Sequence, residues 1–195
     1  LTYQVLGIAF SLVPVALCLF LLSDRGNPFK LIGFAAKPIA KNVWQGLALA
    51  AVIGIPGLGL YLSARYLGLS AQIETTNLSS YWWTVPVLLL SAVGAALLEE
   101  VIMVGYLFER LKQLGRSKWA TITISAAIRG SYHLYQGFGP LIGNAVMGIV
   151  FGWCYQRWGR VMPLVLAHFI LDVVSFVGYP LIASAFPGFL PGTSR

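Results

Sequence analysis

Acidic side chains are nearly absent from this chain: six Asp and Glu in 195 residues, with charged residues of both signs reaching only 10%. A soluble domain carries about 25% charge, so the shortage excludes an ordinary water-soluble globule. Cysteine and histidine are as scarce, at two each. Cys18 and Cys154 both fall within apolar runs. That excludes a disulfide framework or a paired-cysteine redox motif and leaves them as apolar filler. No internal repeat, low-complexity tract or contiguous basic domain is visible. The net charge of +7 therefore points away from nucleic acid and towards anionic lipid headgroups.

Apolar residues are abundant instead, at 58% with a mean hydropathy of +0.79. A bilayer is crossed by roughly 20 helical residues, and candidate spans of that kind lie at 1–22, 43–65, 82–108, 118–134, 140–157 and 161–186. The sequence thus predicts an all-α fold, a polytopic membrane helix bundle of about six transmembrane helices in a single integral-membrane domain over residues 1–195. The stretch 1–22 has no small-residue cleavage site after it and reads as a first span rather than a signal segment. Arg25, Lys30, Lys37 and Lys41 follow the first span, Arg110, Lys112, Arg116 and Lys118 the third, and Arg157 and Arg160 the fifth. The alternate loops, near 66–80 and 135–139, hold only Arg65 and Glu74. By the positive-inside rule the three basic loops face the cytoplasm. The expected location is multi-pass in a bacterial cell (inner) membrane.

Few ionisable residues are left inside the spans: Glu99 and Glu100 in "LLEEVIMVGY", Arg129 with His133, and His168 with Asp172. Each charge at the bilayer centre costs roughly 2.5–3.5 kcal/mol on insertion scales, so six of them on three helices must converge and satisfy one another. Spacing supports this, because Arg129/His133 and His168/Asp172 are each i,i+4 pairs on one helix face. Glu99 lies about 15 Å from the cytoplasmic end of its span by helical rise, too deep to snorkel out. Small residues permit close approach: Gly94, Ala95 and Ala96 before the glutamates, Ala126 and Gly130 beside Arg129, and Gly148 and Gly152 in the fifth span. A purely structural role for the set is the competing reading.

"EEVIMVGY", "RGSYHLYQG" and "HFILD" resemble, in order, the E-E-x-x-x-R, F-x-x-x-H and H-x-x-x-N/D motifs of the CPBP intramembrane proteases. That family is also called Abi and includes the CAAX prenyl endopeptidases. Two positions depart from it: Val104 stands where the family has arginine, and Arg129 where it has phenylalanine. The two changes read as one. Arg129 becomes a relocated counter-ion for the glutamate pair, with Glu100 the partner expected from its i−4 relation to Val104.

The resemblance implies an endopeptidase acting near the cytoplasmic side on a peptide or membrane-anchored protein substrate in the lipid bilayer. The implied catalytic residues are Glu99, Glu100, His133, His168 and Asp172, with Arg129 in support. Glu99 and His133 would activate a water, and His168 with Asp172 would steady the oxyanion. Three carboxylates against one arginine leave a net −2 in low dielectric. A divalent, zinc-like cation on His133, His168, Glu99 and Asp172 would cancel it, as would protonation of two groups. Two other readings stay open: a catalytically inactive membrane scaffold or immunity protein, and a proton- or cation-coupled transporter, which would ordinarily show internal repeats.

Overall fold

A computed structural model describes residues 1–35, 37–67 and 81–185; the expected outer loop near 66–80, with Glu74, lies largely outside them. Every regular element among the described residues is helical. The longer ones, in chain order, are α1 (Thr2–Leu22), α2 (Ile39–Tyr66), α3, α4 (Lys118–Tyr132), α5 (Phe138–Trp158) and α6. Helix α3 runs as Thr84–Glu99, a π-helical stretch Glu100–Tyr106 and Leu107–Gln113. Helix α6 has the same build: Met162–Val173, a π-helical stretch Val174–Gly178 and Tyr179–Ala185.

Among the described residues, five helices are long and apolar enough to cross a membrane: Thr2–Arg25, Ile39–Ser63, Thr84–Gln113, Phe138–Trp158 and Met162–Ile182. The segment expected as a span at 118–134 forms α4 but does not meet that description. Its 15 residues rise only about 22 Å, short of a hydrocarbon core of about 30 Å. Ser117 starts it by accepting a hydrogen bond from the Ala120 N–H, and the chain leaves it at His133 for a turn that ends at Gly137, φ +112°. Its composition explains how it fits in a bundle. The inward face carries Thr121, Ile122, Ser125, Ala126, Arg129 and Gly130, while Trp119, Thr123 and Ile128 point out. Arg129 and the hydroxyls of Thr121 and Ser125 turn to protein while Trp119 and Ile128 are left for lipid, unlike a soluble amphipathic helix.

Glycine sets how closely α5 lies against α4. A Cβ on Gly148 would stand 2.8 Å from Ala126 Cα, and one on Gly130 2.9 Å from the Leu141 carbonyl oxygen. The small-residue pattern read from the sequence is therefore a packing seam. Helix α6 packs on α2 and α3, and α1 on α3.

The three basic loops come together at one end. The Val161 N–H donates to the Ile32 carbonyl, and Arg160 reaches Asn42 Oδ1 and Gln45 Oε1, both at 2.5 Å. Arg110 donates to the Leu21 carbonyl. Gly33, at φ +63°, lies so close to Gly159 that a Cβ would meet its carbonyl oxygen at 2.1 Å. The charge alternation that fixed the loop pattern in the sequence thus coincides with a physical end of the bundle.

Candidate active site

Helices α3, α4 and α6 bring Glu99, Glu100, Arg129, His133, His168 and Asp172 into one network beneath that end. Glu100 and Arg129 are completely buried, and Arg129 Nη2 donates to Glu100 Oε1 at 2.7 Å. The cation comes from α4, as the Val104/Arg129 exchange suggested; Val104 itself is buried. Arg129 lies with its Cζ 5.7 Å from the centre of the Phe151 ring, a cation–π arrangement on α5. His168 Nδ1 is 2.7 Å from the same Glu100 oxygen. A carboxylate can only accept here, so His168 donates from Nδ1 and presents Nε2 to Asp172 Oδ2, 3.7 Å away.

Glu99 turns to other partners. Its Oε2 accepts from the Tyr132 hydroxyl at 2.7 Å and lies 3.8 Å from Arg129 Nη1. Its Oε1 is 3.9 Å from His133 Nε2. His133 Nδ1 lies 2.9 Å from the Arg129 carbonyl oxygen; since a carbonyl only accepts, the proton is on Nδ1. In the neutral ring Nε2 is then a lone pair facing Glu99. The adjacent glutamates therefore divide as the 100° helical offset requires, one towards Arg129 and His168, the other towards Tyr132 and His133.

Four buried polar atoms in this network lack a hydrogen-bond partner: Glu100 Oε2, Asp172 Oδ2, and Arg129 Nε and Nη1. Buried polar groups are almost always satisfied, and exceptions cluster where a water, ion or reactant belongs. Glu99, Glu100 and His168 also place one ligand atom each within 4.8 Å of one another. The ligand set inferred from sequence differs, naming His133 and Asp172 in place of Glu100; these two border the cluster through the 3.9 Å and 3.7 Å contacts.

Two features of the site carry no sequence signal. The first is the π-helical stretch that begins at Glu100. At its end the Leu107 N–H is shared between the Ile102 carbonyl, five residues back, and the Val104 carbonyl, and does not reach Met103. Ser125 Oγ, from α4, donates to the Met103 carbonyl at 2.8 Å. Such π-bulges frequently mark functional sites. The second is Tyr132, one tyrosine among nine, whose hydroxyl holds Glu99.

A family model described as Rce1-like, type II CAAX prenyl endopeptidase, matches residues 81–174. That segment contains Glu99, Glu100, Arg129, His133, His168 and Asp172, the whole network. No curated protein and no solved structure matches the chain. The matched segment and the motif resemblance agree: residues 81–174 of this chain are similar to the Rce1-like family of type II CAAX prenyl endopeptidases.

Proposed function

We propose that the chain is an intramembrane endopeptidase in which Glu99 and His133 activate a water for attack on a scissile peptide bond. The observation that carries this reading is the facing pair Glu99 Oε1 and His133 Nε2. Their 3.9 Å separation leaves a water within ordinary hydrogen-bond reach of both. Both faces of the pair are braced, Glu99 by Tyr132 and His133 by the Arg129 carbonyl. Water oxygen adds to the carbonyl carbon, its proton passing to Glu99. As the C–N bond breaks, Glu99 returns that proton to the departing amine.

His168 and Asp172 serve the oxyanion. With Nδ1–H donated to Glu100, a doubly protonated His168 offers Nε2–H to the carbonyl oxygen as charge develops. Asp172, one turn on, orients that nitrogen. Glu100 and Arg129 do no chemistry in this scheme; they hold His168 in place.

A metal-assisted form of the same reaction has separate support. The convergence of Glu99, Glu100 and His168, the unpartnered Glu100 Oε2, and three carboxylates against one arginine fit a divalent cation. These three residues would hold it, and when bound it would polarise the carbonyl and acidify a water.

His168 lies six residues into α6, about 9 Å from its start, and Asp172 about 15 Å. The reacting bond therefore lies within the membrane, nearer the end with the basic loops, which we assign to the cytoplasm. The test is proteomic. Membranes carrying the wild-type chain should contain new peptide termini near that face, absent when Glu99→Gln replaces it. Identical termini in both would favour the inert-scaffold reading.

A further inference from the structure

Where the basic loops meet, α3, α4 and α5 leave a cavity of about 390 Å³. Its wall includes Lys112, Arg116 and Lys118, together with Glu109, Tyr155 and Gln156. Glu109 is the only carboxylate among its described lining residues, is buried, and stands 3.8 Å from Lys112. It therefore occupies one cation. Arg116 and Lys118 are exposed and enter no ion pair among the described residues. A second groove adjoins, sharing Lys118 and Gln156 and continuing along Trp119, Ile122 and Trp153 to Arg157. Both tryptophans are exposed.

We propose that this corner is a binding site for an anionic phospholipid, its phosphate in the Lys112–Arg116–Lys118 cradle and an acyl chain along Trp119, Ile122 and Trp153. Three lines converge. The cations exceed the carboxylate by two in the cavity, and Arg157 adds a third at the groove. Helix α3 ends at Gln113, α4 begins at Lys118 and α5 ends at Trp158, which puts the cradle at headgroup level, where basic pockets between helices take anionic lipid. The two tryptophans mark the interfacial layer, and with Ile122 they give an apolar path leading away from the charge. A free anion would use the cations and leave that path empty. The site shares no residue with the network at Glu99–Asp172, so it stands apart from the protease reading.

Native mass spectrometry of the purified full chain in uncharged detergent, titrated with phosphatidylglycerol, phosphatidylcholine or inorganic phosphate, tests this. Phosphatidylglycerol should form a saturable adduct that phosphatidylcholine does not match and inorganic phosphate does not displace. Arg116→Gln and Lys118→Gln should each weaken it about fivefold, and Lys118→Arg should not. Trp153→Ala should weaken the lipid adduct alone. Lys30→Gln and Lys41→Gln, on the other basic loop, should leave it unchanged. The site is refuted if phosphatidylcholine binds equally, or if the Lys30 and Lys41 variants weaken binding as much as those at Arg116 and Lys118. Phosphate binding as tightly as the lipid would make it a free-anion site and overturn the proposal.

Discussion

Arg129 Nη2 lies 2.7 Å from Glu100 Oε1 with both side chains wholly out of solvent, so a short, buried ion pair links α4 to α3 at the centre of the network. Breaking a buried pair by removing one partner costs about 3–5 kcal/mol, because the other charge is stranded. Glu100→Gln should therefore accumulate poorly and melt well below wild type in detergent, with some activity in the fraction that survives. The reciprocal swap is the sharper test. Arg129→Phe alone should lose activity, and adding Val104→Arg should restore it by returning the cation to α3. Equal behaviour of the single and double variants would mean that the two positions are not coupled.

Glu99 should respond in the opposite way. It is partly exposed, holds no short ion pair, and keeps a hydrogen bond from Tyr132 that neutral Gln can still accept. Glu99→Gln should fold with a near-wild-type melting temperature and lose about 10²–10⁴-fold in turnover, the usual contribution of a positioned general base. A stable, inactive Glu100→Gln beside an active Glu99→Gln would exchange the two roles.

Much of this network was legible because the sequence is so poor in charge. In a chain with six acidic residues, two i,i+4 ionisable pairs and a double glutamate inside apolar runs can only be tolerated together, and the fold brings them together. The displaced cation was legible for the same reason: Arg129 had no other carboxylate within the membrane to meet except the glutamates and Asp172. What could not be read was backbone register. Periodicity assumes i→i+4 bonding throughout α3, whereas the π-helical stretch at Glu100 shifts it by one residue. The Ser125 hydrogen bond to the Met103 carbonyl falls within that stretch. Helix α4 begins at Lys118 as expected and stops at Tyr132, two residues short of the expected span. Thr121, Ser125 and Arg129 point inward, so the segment needs only half a lipid-facing surface.

Metal content separates the two proposed forms of the reaction. If Glu99, Glu100 and His168 hold a divalent ion, the purified chain should retain one, and chelation should lower activity and melting temperature together, since a ligand that binds only the folded state stabilises it. His168→Gln should lose the ion, whereas His133→Gln should keep it, because His133 stands outside the cluster. Full activity of metal-free protein would remove the cation and leave Glu99 and His133 as the working pair.

Topology follows from the meeting of the basic loops at one end. Cysteine placed at Lys37 or Arg116 should resist a membrane-impermeant thiol reagent added outside intact cells and react after permeabilisation. Ready labelling from outside would invert the bundle and open the site to the other face.

Tyr132 gives the most discriminating test of how Glu99 is aimed. Its hydroxyl takes Glu99 Oε2 at 2.7 Å, and its ring lies 4.7 Å from that of His133, centre to centre. One oxygen of Glu99 is thereby fixed, which leaves Oε1 turned towards His133 Nε2. Tyr132→Phe removes the donor and keeps the ring against His133, so packing is conserved. The residue is substantially exposed, and its loss should barely move the melting temperature. A hydrogen bond to a charged group contributes about 1.5–3 kcal/mol, and one spent on orientation is felt in the transition state rather than in substrate binding. Turnover should fall at least about tenfold with KM unchanged. Combined with Glu99→Gln, the Phe substitution should add little, because the group it positions is already gone. An additive loss in the double variant, or a rise in KM alone, would move Tyr132 from orienting Glu99 to contacting substrate.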